Sequence, residues 1–240
     1  MSQMKLLTAG NPKTLKGESK GYLTFILHLS PADVAGVGNM CPKATAGCKL
    51  VCLNTAGRGG MFTAEQGTNK IQEARKRKTR WFVSDRKTFL AQLVKDIEQA
   101  IKYAEKRDLT PVFRLNGTSD LAWEKYSIEN GRNIFEMFPD YQFYDYTKIL
   151  GRKVKGIANY HLTFSQAESN MDDVKKAVKQ GMNVATVFRK TLPETYLGRP
   201  VFDGDESDLR FLDPKGVIVG LKAKGRARKD TSGFVIDIAA

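Results

Sequence analysis

From Tyr22 the chain alternates: Leu23, Phe25, Leu27 and Leu29 share one side, and Thr24, Ile26, His28 and Ser30 the other. A period of two over eight residues predicts a strand with one apolar and one mixed face. Residues 111–116, 141–147, 159–165, 183–189 and 216–222 are further predicted strands, and 200–203 a shorter one. Between them the period changes. Phe89, Leu90, Leu93, Val94, Ile97, Ile101 and Ala104 keep helical spacing, begun by Ser84 or Asp85 and ending near Lys106. Helices are also predicted over 64–81, over 128–138 between Ser127 and Pro139, and over 171–180 before Gly181. Residues 1–20 show no clear period and predict an irregular arm. The tail 223–240 carries Lys224, Arg226, Arg228 and Lys229, then Phe234, Val235 and Ile236, an apolar end predicted to pack back on the body.

Strands separated by helices predict parallel strands joined by crossovers. The expected fold is α/β, a single-domain, TIM-like partial (β/α) barrel spanning 21–222, with the arm before it and the basic tail after it. If the face carrying His28 points inward, the same phase puts Arg114 and Asn116, Asp145 and Thr147, Thr163 and Ser165, Arg189, and Lys222 inside. All lie towards the C-terminal ends of their strands, where β/α barrels place their active sites. Taken singly, each is explained as well by a polar strand end satisfied by backbone or water.

The three cysteines change the picture. Cys41, Cys48 and Cys52 are the only ones in 240 residues, spaced by six residues and then three, directly after the first strand. An odd count argues against disulfides. Three thiols in one glycine-rich loop fit an iron-sulfur cluster with one iron open or capped by another ligand. A structural zinc and unligated thiols are the alternatives. His28 is the nearest strand-borne nitrogen, and Asp120 and Asp145 the nearest carboxylates.

A formal net charge of +13 at pH 7 adds a second class of function, because such a chain attracts polyanions. Nucleic acid is the first candidate partner and an anionic metabolite the second, the latter held by Arg114, Lys148, Arg189 and Lys222. The run Arg75, Lys76, Arg77, Lys78 and Arg80 reads either as a phosphate-contacting patch or as a solvated helix face. With 41% hydrophobic and 27% charged residues the composition is that of a globular protein. No apolar run is long enough to cross a membrane, and the start has no signal-peptide apolar block, so no membrane partner is expected and the cytoplasm is the expected location.

A cysteine loop straight after the first strand of such a barrel resembles the radical S-adenosylmethionine superfamily. The resemblance implies a 4Fe-4S cluster on Cys41, Cys48 and Cys52, and S-adenosylmethionine as a further ligand. Asn116, Gly117, Ser119 and Asp120 would then contact it, with Lys148, Ser165, Arg189 and Lys222 completing the cofactor-binding set at the mouth. At whole-chain level the sequence resembles the gene product 88 family of tailed phages. That resemblance rests on Asn39-Met40-Cys41-Pro42, Gly47-Cys48 with Cys52-Leu53, Thr55-Ala56-Gly57-Arg58, Arg114-Leu115-Asn116-Gly117 and the ending from Gly220 to Val235. It implies a phage origin and host cytoplasm, and no particular reaction. The leading expectation is therefore a phage iron-sulfur protein, radical-SAM-like in fold and possible activity. The alternative is a non-enzymatic nucleic-acid-binding phage protein with a structural zinc or cluster site.

Overall fold

A computed structural model describes residues 4–9, 12–55, 57–60 and 69–238, with no side-chain description for 12–14, 57 and 58. Nine strands form one sheet: β1 (Leu7–Thr8), β2 (Tyr22–Leu27), β3 (Thr110–Arg114), β4 (Gln142–Thr147), β5 (Tyr160–Ser165), β6 (Val184–Phe188), β7 (Thr195–Tyr196), β8 (Arg199–Asp203) and β9 (Ile218–Lys222). Their order is β1-β2-β3-β4-β5-β6-β9-β8-β7. All pairs are parallel except the two outermost, β1 with β2 and β7 with β8. The class is mixed α/β with a mostly parallel sheet, as the alternation predicts. The sheet ends at β1 and β7, and among the described residues no strand pairing closes it into a barrel.

The helices are α1 (Pro12–Glu18), α2 (Ala46–Leu50), α3 (Lys70–Ser84), α4 (Arg86–Glu105), α5 (Ile134–Met137) and α6 (Met171–Lys179). The last four pack on one face, whereas α1 lies beside Leu209 on the other. The apolar stripe predicted for α4 packs as expected: Phe89, Leu93 and Ile97 are fully buried against Phe25, Leu27, Phe113 and Phe143. Phe113 lies 5.8 Å from Phe25 and 5.2 Å from Phe143, centroid to centroid, so an aromatic row runs across β2, β3 and β4. Farther along, Phe164, Val184, Phe188 and Ile218 pack under α6.

The other face is covered by the chain between β8 and β9. Its Asp208 accepts from Arg114 at 2.5 Å, and Phe211 sits 5.4 Å from both Tyr22 and Tyr144. Arg210 is fully buried there, 3.1 Å from Asp213.

Several expectations change. The N-terminal arm contains β1 and α1, each held from far along the chain: Asp96 accepts from the backbone N–H of Leu6 (2.5 Å) and Leu7 (3.1 Å), Lys78 donates to the Leu6 carbonyl (2.6 Å), and Lys16 of α1 donates to the Asp205 carbonyl (2.9 Å). The helix expected over 64–81 is observed from Lys70, capped by Asn69, to Ser84, and its first expected residues lie outside the described ones. The helix expected over 128–138 shrinks to α5, started by a capping box of Asn133 and Glu136.

The phase argument also changes. Parallel partners share a face, so Arg114 lies with Ile26, Tyr144 with His161, and Tyr146 with Thr163, all on the side away from α4. Asp145 and Thr147 pair with Leu162 and Phe164, which places them on the helical face. Lys222 pairs with Phe188 on that same face and is exposed at its edge. One alternation cannot serve every strand, because register fixes each strand separately.

Candidate functional site

The loop after β2, the ends of β4 and β5, and the C-terminal segment meet at the C-terminal edge of the parallel strands. The loop is held from both ends. Met40 donates its N–H to Ala32 and accepts from the N–H of Asp120, both at 2.8 Å. Thr45 caps α2 by accepting from Cys48 N–H (3.2 Å). Glu168, just past β5, accepts from Thr45 Oγ1 and from Gly47 N–H, each at 2.7 Å. Gly47 is required by this closeness: a Cβ there would stand 2.3 Å from Ser232 Oγ and 2.8 Å from the Glu168 carboxylate. Val51 then packs with Ala223, Ala227 and Val235. One carboxylate and one small apolar cluster thus dock the cysteine loop onto the C-terminal segment.

That segment has its own knot. Asp230, almost fully buried, accepts from Ser232 Oγ (2.6 Å) and Val235 N–H (2.9 Å). Burial opposes its charge, but these bonds outweigh burial and keep its pKa below the usual carboxylate value. Arg189 donates to the Arg228 and Asp230 carbonyls at 3.0 and 2.8 Å and to Asp237 at 2.6 Å. The basic tail is therefore fastened to the end of β6, with Arg226, Arg228 and Lys229 exposed.

The expected cluster is not formed. Among the described residues no three His, Cys, Asp or Glu side chains stand together in a way that could hold a metal ion. The thiols are near enough to act on one another electrostatically, yet they do not form a ligand set. Cys41 leans on the loop after β3 through the Thr118 carbonyl (3.7 Å), Cys48 rides on α2, and Cys52 lies past that helix, accepting from Asn54 N–H (3.5 Å). Burial raises the Cys41 thiol to about 11 and pushes Cys52 upward too, so both are held as thiols. The iron-sulfur reading falls with the missing centre. So does the structural zinc or cluster site of the alternative.

The residues expected to contact a cofactor are largely occupied with one another. Asn116 Oδ1 accepts from Ser119 Oγ, Leu121 N–H and Trp123 Nε1 at 2.9–3.1 Å, while its own N–H goes to Asp145 Oδ1 at 2.8 Å. Burial lifts Asp145 to about 6. Gly117 is where β2 and the loop after β3 touch, since a Cβ would lie 2.5 Å from Ile26 Cγ2. Asp120 accepts from Thr147 Oγ1 and Lys148 N–H, both at 2.8 Å, and burial raises its pKa. Lys222 reaches Asp203 at 3.7 Å. Lys148 and Ser165 do come together, Nζ to Oγ at 3.2 Å, with the Phe234 ring 5.7 Å from the ammonium.

The cations here fall into two groups. Arg114 has Asp208, Arg152 has Glu124, and Arg189 has Asp237. Arg75 has no carboxylate partner among the described residues. Its Nη1 donates to the carbonyl (3.1 Å) and the side-chain oxygen (2.8 Å) of buried Asn54, and its buried Nε has no partner. Burial lowers its pKa, with Cys52 acting the other way. Burial first, then Arg75, Arg114 and Lys78, depresses His28 to about 3, so His28 is neutral at physiological pH. The basic run on α3 forms no single face: Lys78 is buried, Lys76 pairs with Glu73 at 2.9 Å, and Arg75 turns to the cysteine loop, leaving Arg77 and Arg80 exposed.

Sequence reasoning gave no role to Glu168 or Asn54, whose partners lie 121 and 21 residues away, nor to Asp230, whose partners Ser232 and Val235 are local. It counted Arg75 only as one charge in a run. Beside Lys148 a cleft of about 230 Å³ opens between the cysteine loop and the start of α6.

Among known proteins, the family model described as Gene product 88 matches residues 5–238. No curated protein and no solved structure gives a match. Nothing in these comparisons supports the radical-SAM-like part of the resemblance. No helix among the described residues is long and apolar enough to cross a membrane.

Proposed function

The chain belongs to the Gene product 88 family, and we propose that it binds a phosphate-bearing anion at the C-terminal edge of its parallel strands, a single nucleic-acid strand being the ligand its surroundings suit. The observation that carries this reading is Arg75. A guanidinium drawn out of water is costly unless an anion pairs with it, and among the described residues this one bonds only the neutral carbonyl and amide oxygens of Asn54. A phosphate oxygen would supply the missing acceptor, in the geometry that a guanidinium fork favours. Lys148, whose ammonium donates to the Ser165 hydroxyl, is a second cation beside the same cysteine loop. Exposed Lys190, Arg226, Arg228 and Lys229 extend the positive field around it. The half-buried Phe234 ring next to Lys148 offers a stacking surface for a base, which favours a single strand over a duplex.

The test is fluorescence anisotropy with a labelled single-stranded oligonucleotide over a range of salt, using inorganic phosphate as competitor. Affinity should fall by roughly 0.7 log unit per log unit of salt for each phosphate neutralised. Arg75→Gln and Lys148→Gln should each weaken binding by about tenfold and flatten that slope. Glutamine can still donate to Asn54, so the Arg75 variant should keep its stability. Absence of binding at low salt would overturn the reading, as would binding indifferent to both substitutions.

A further inference from the structure

The cleft beside Lys148 has a charge pattern that a general anion site would not need. Lys43 and Lys148 line it, and so do Asp172 and Asp173. The two kinds of charge do not pair across it. Lys148 spends its ammonium on Ser165, Lys43 is exposed with no carboxylate partner among the described residues, and Asp173 turns to Lys176 on its own helix at 3.7 Å. Cations alone would take any anion. Carboxylates facing the same space repel anions and call for hydroxyl or amino donors instead. Ser169 adds a neutral hydroxyl to the lining. At about 230 Å³ the space lies below the roughly 300–1,000 Å³ of sites for drug-sized ligands, so a single small polar unit fits it better than a base and sugar together.

We propose that this cleft binds a sugar phosphate, the ribose phosphate unit of a ribonucleotide. The phosphate lies between Lys43 and Lys148, and the vicinal hydroxyls donate to Asp172 and Asp173. The phosphate half rests on the anion reading above, with which it shares Lys148; the hydroxyl half stands on the two aspartates alone. Its consequence is a preference for a free or 3′-terminal ribonucleotide over its deoxy counterpart, since only there are both hydroxyls free and the 2′-hydroxyl is the group that distinguishes the two.

Calorimetry on the full chain at low salt tests this with ribose 5-phosphate, 2-deoxyribose 5-phosphate and inorganic phosphate as probes. Ribose 5-phosphate should bind about tenfold more tightly than either of the others. Lys43→Ala should weaken both sugar phosphates. Asp172→Asn, alone and together with Asp173→Asn, should erase the preference for ribose while leaving phosphate binding equal or tighter. Melting curves confirm that each variant is folded, and the single Asp172 variant keeps the Asp173–Lys176 pair intact. Equal affinity for the two sugar phosphates in the native protein would overturn the proposal, as would a ribose preference that survives both asparagines. Arg75→Gln separates the two readings. Oligonucleotide binding lost in that variant while ribose 5-phosphate still binds supports both. Ribose 5-phosphate binding with no oligonucleotide binding to the native protein upholds the cleft and sinks the outer site.

Discussion

The helical face of the sheet and its C-terminal edge are built on different principles. On the helical face many interchangeable contacts add up: Phe25, Phe113 and Phe143 form a row, and α4 lays a periodic stripe over it. At the edge, single carboxylates each fasten a segment that has little apolar area of its own. Glu168 holds the start of α2, Asp230 the C-terminal turn, and Asp120 the chain after β4. Stability in the first region is spread over area, and in the second it is concentrated in a few charged acceptors. The difference teaches where a sequence carries redundancy and where it does not.

The sharpest way to break the comparison is to remove one aromatic from the row. Phe113→Ala should lower global stability by about 3–5 kcal/mol in urea unfolding, since a fully buried ring leaves a cavity that its neighbours fill only in part. A loss under 1 kcal/mol would mean that the row is not the core. At the edge, Glu168→Ala should cost less, about 1–3 kcal/mol, and the damage should be local. Amide exchange across 45–52 should accelerate while α4 stays protected. Uniform acceleration would show that the loop and the core unfold as one unit.

Taken one pH unit at a time, the smallest effect is in pH. The pKa of His28 is lowered to about 3 in the folded chain, against about 6.5 when unfolded. Between those values the unfolded chain binds more protons, so His28 makes stability fall as pH drops from 6.5 towards 3, by at most about 1.4 kcal/mol per pH unit. Asp145, raised to about 6, acts oppositely between about 4 and 6, since there the folded chain holds the extra proton. The readout is therefore a difference: His28→Asn should lose stability less steeply than the native protein on acidification. Parallel curves would place the histidine in water in both states.

What could be read from the sequence follows the same division. Strands β2 to β6 and helix α4 were legible because period and burial are local properties of the chain. The faces of Asp145 and Lys222 were not, because register is set between strands and one assumed phase cannot carry across them. β1 escaped notice since Asp96 and Lys78, 90 and 72 residues away, hold it, and α1 since it is tied to Asp205, 189 residues from Lys16. The cysteines drew attention by spacing alone. What their loop needs is an acceptor 121 residues beyond Gly47, and no local pattern announces Glu168. Arg75 was visible as a charge and invisible as an unpaired one, because a run of basic residues says nothing about partners.

The strand order β6-β9-β8 has a consequence for how the chain assembles. β8 precedes β9 in sequence, yet β9 lies between it and β6, pairing with Val184–Phe188 on one side and Val201–Asp203 on the other. As the chain emerges during synthesis, β6 and the β7–β8 hairpin each present an unpaired edge until the last strand enters the slot between them. The segment that covers the face away from α4 lies just before that strand, so closure of the sheet and sealing of that face become one late event. An edge left waiting is a surface on which other chains can add. Premature termination before Ile218 should therefore yield aggregation rather than a smaller folded protein.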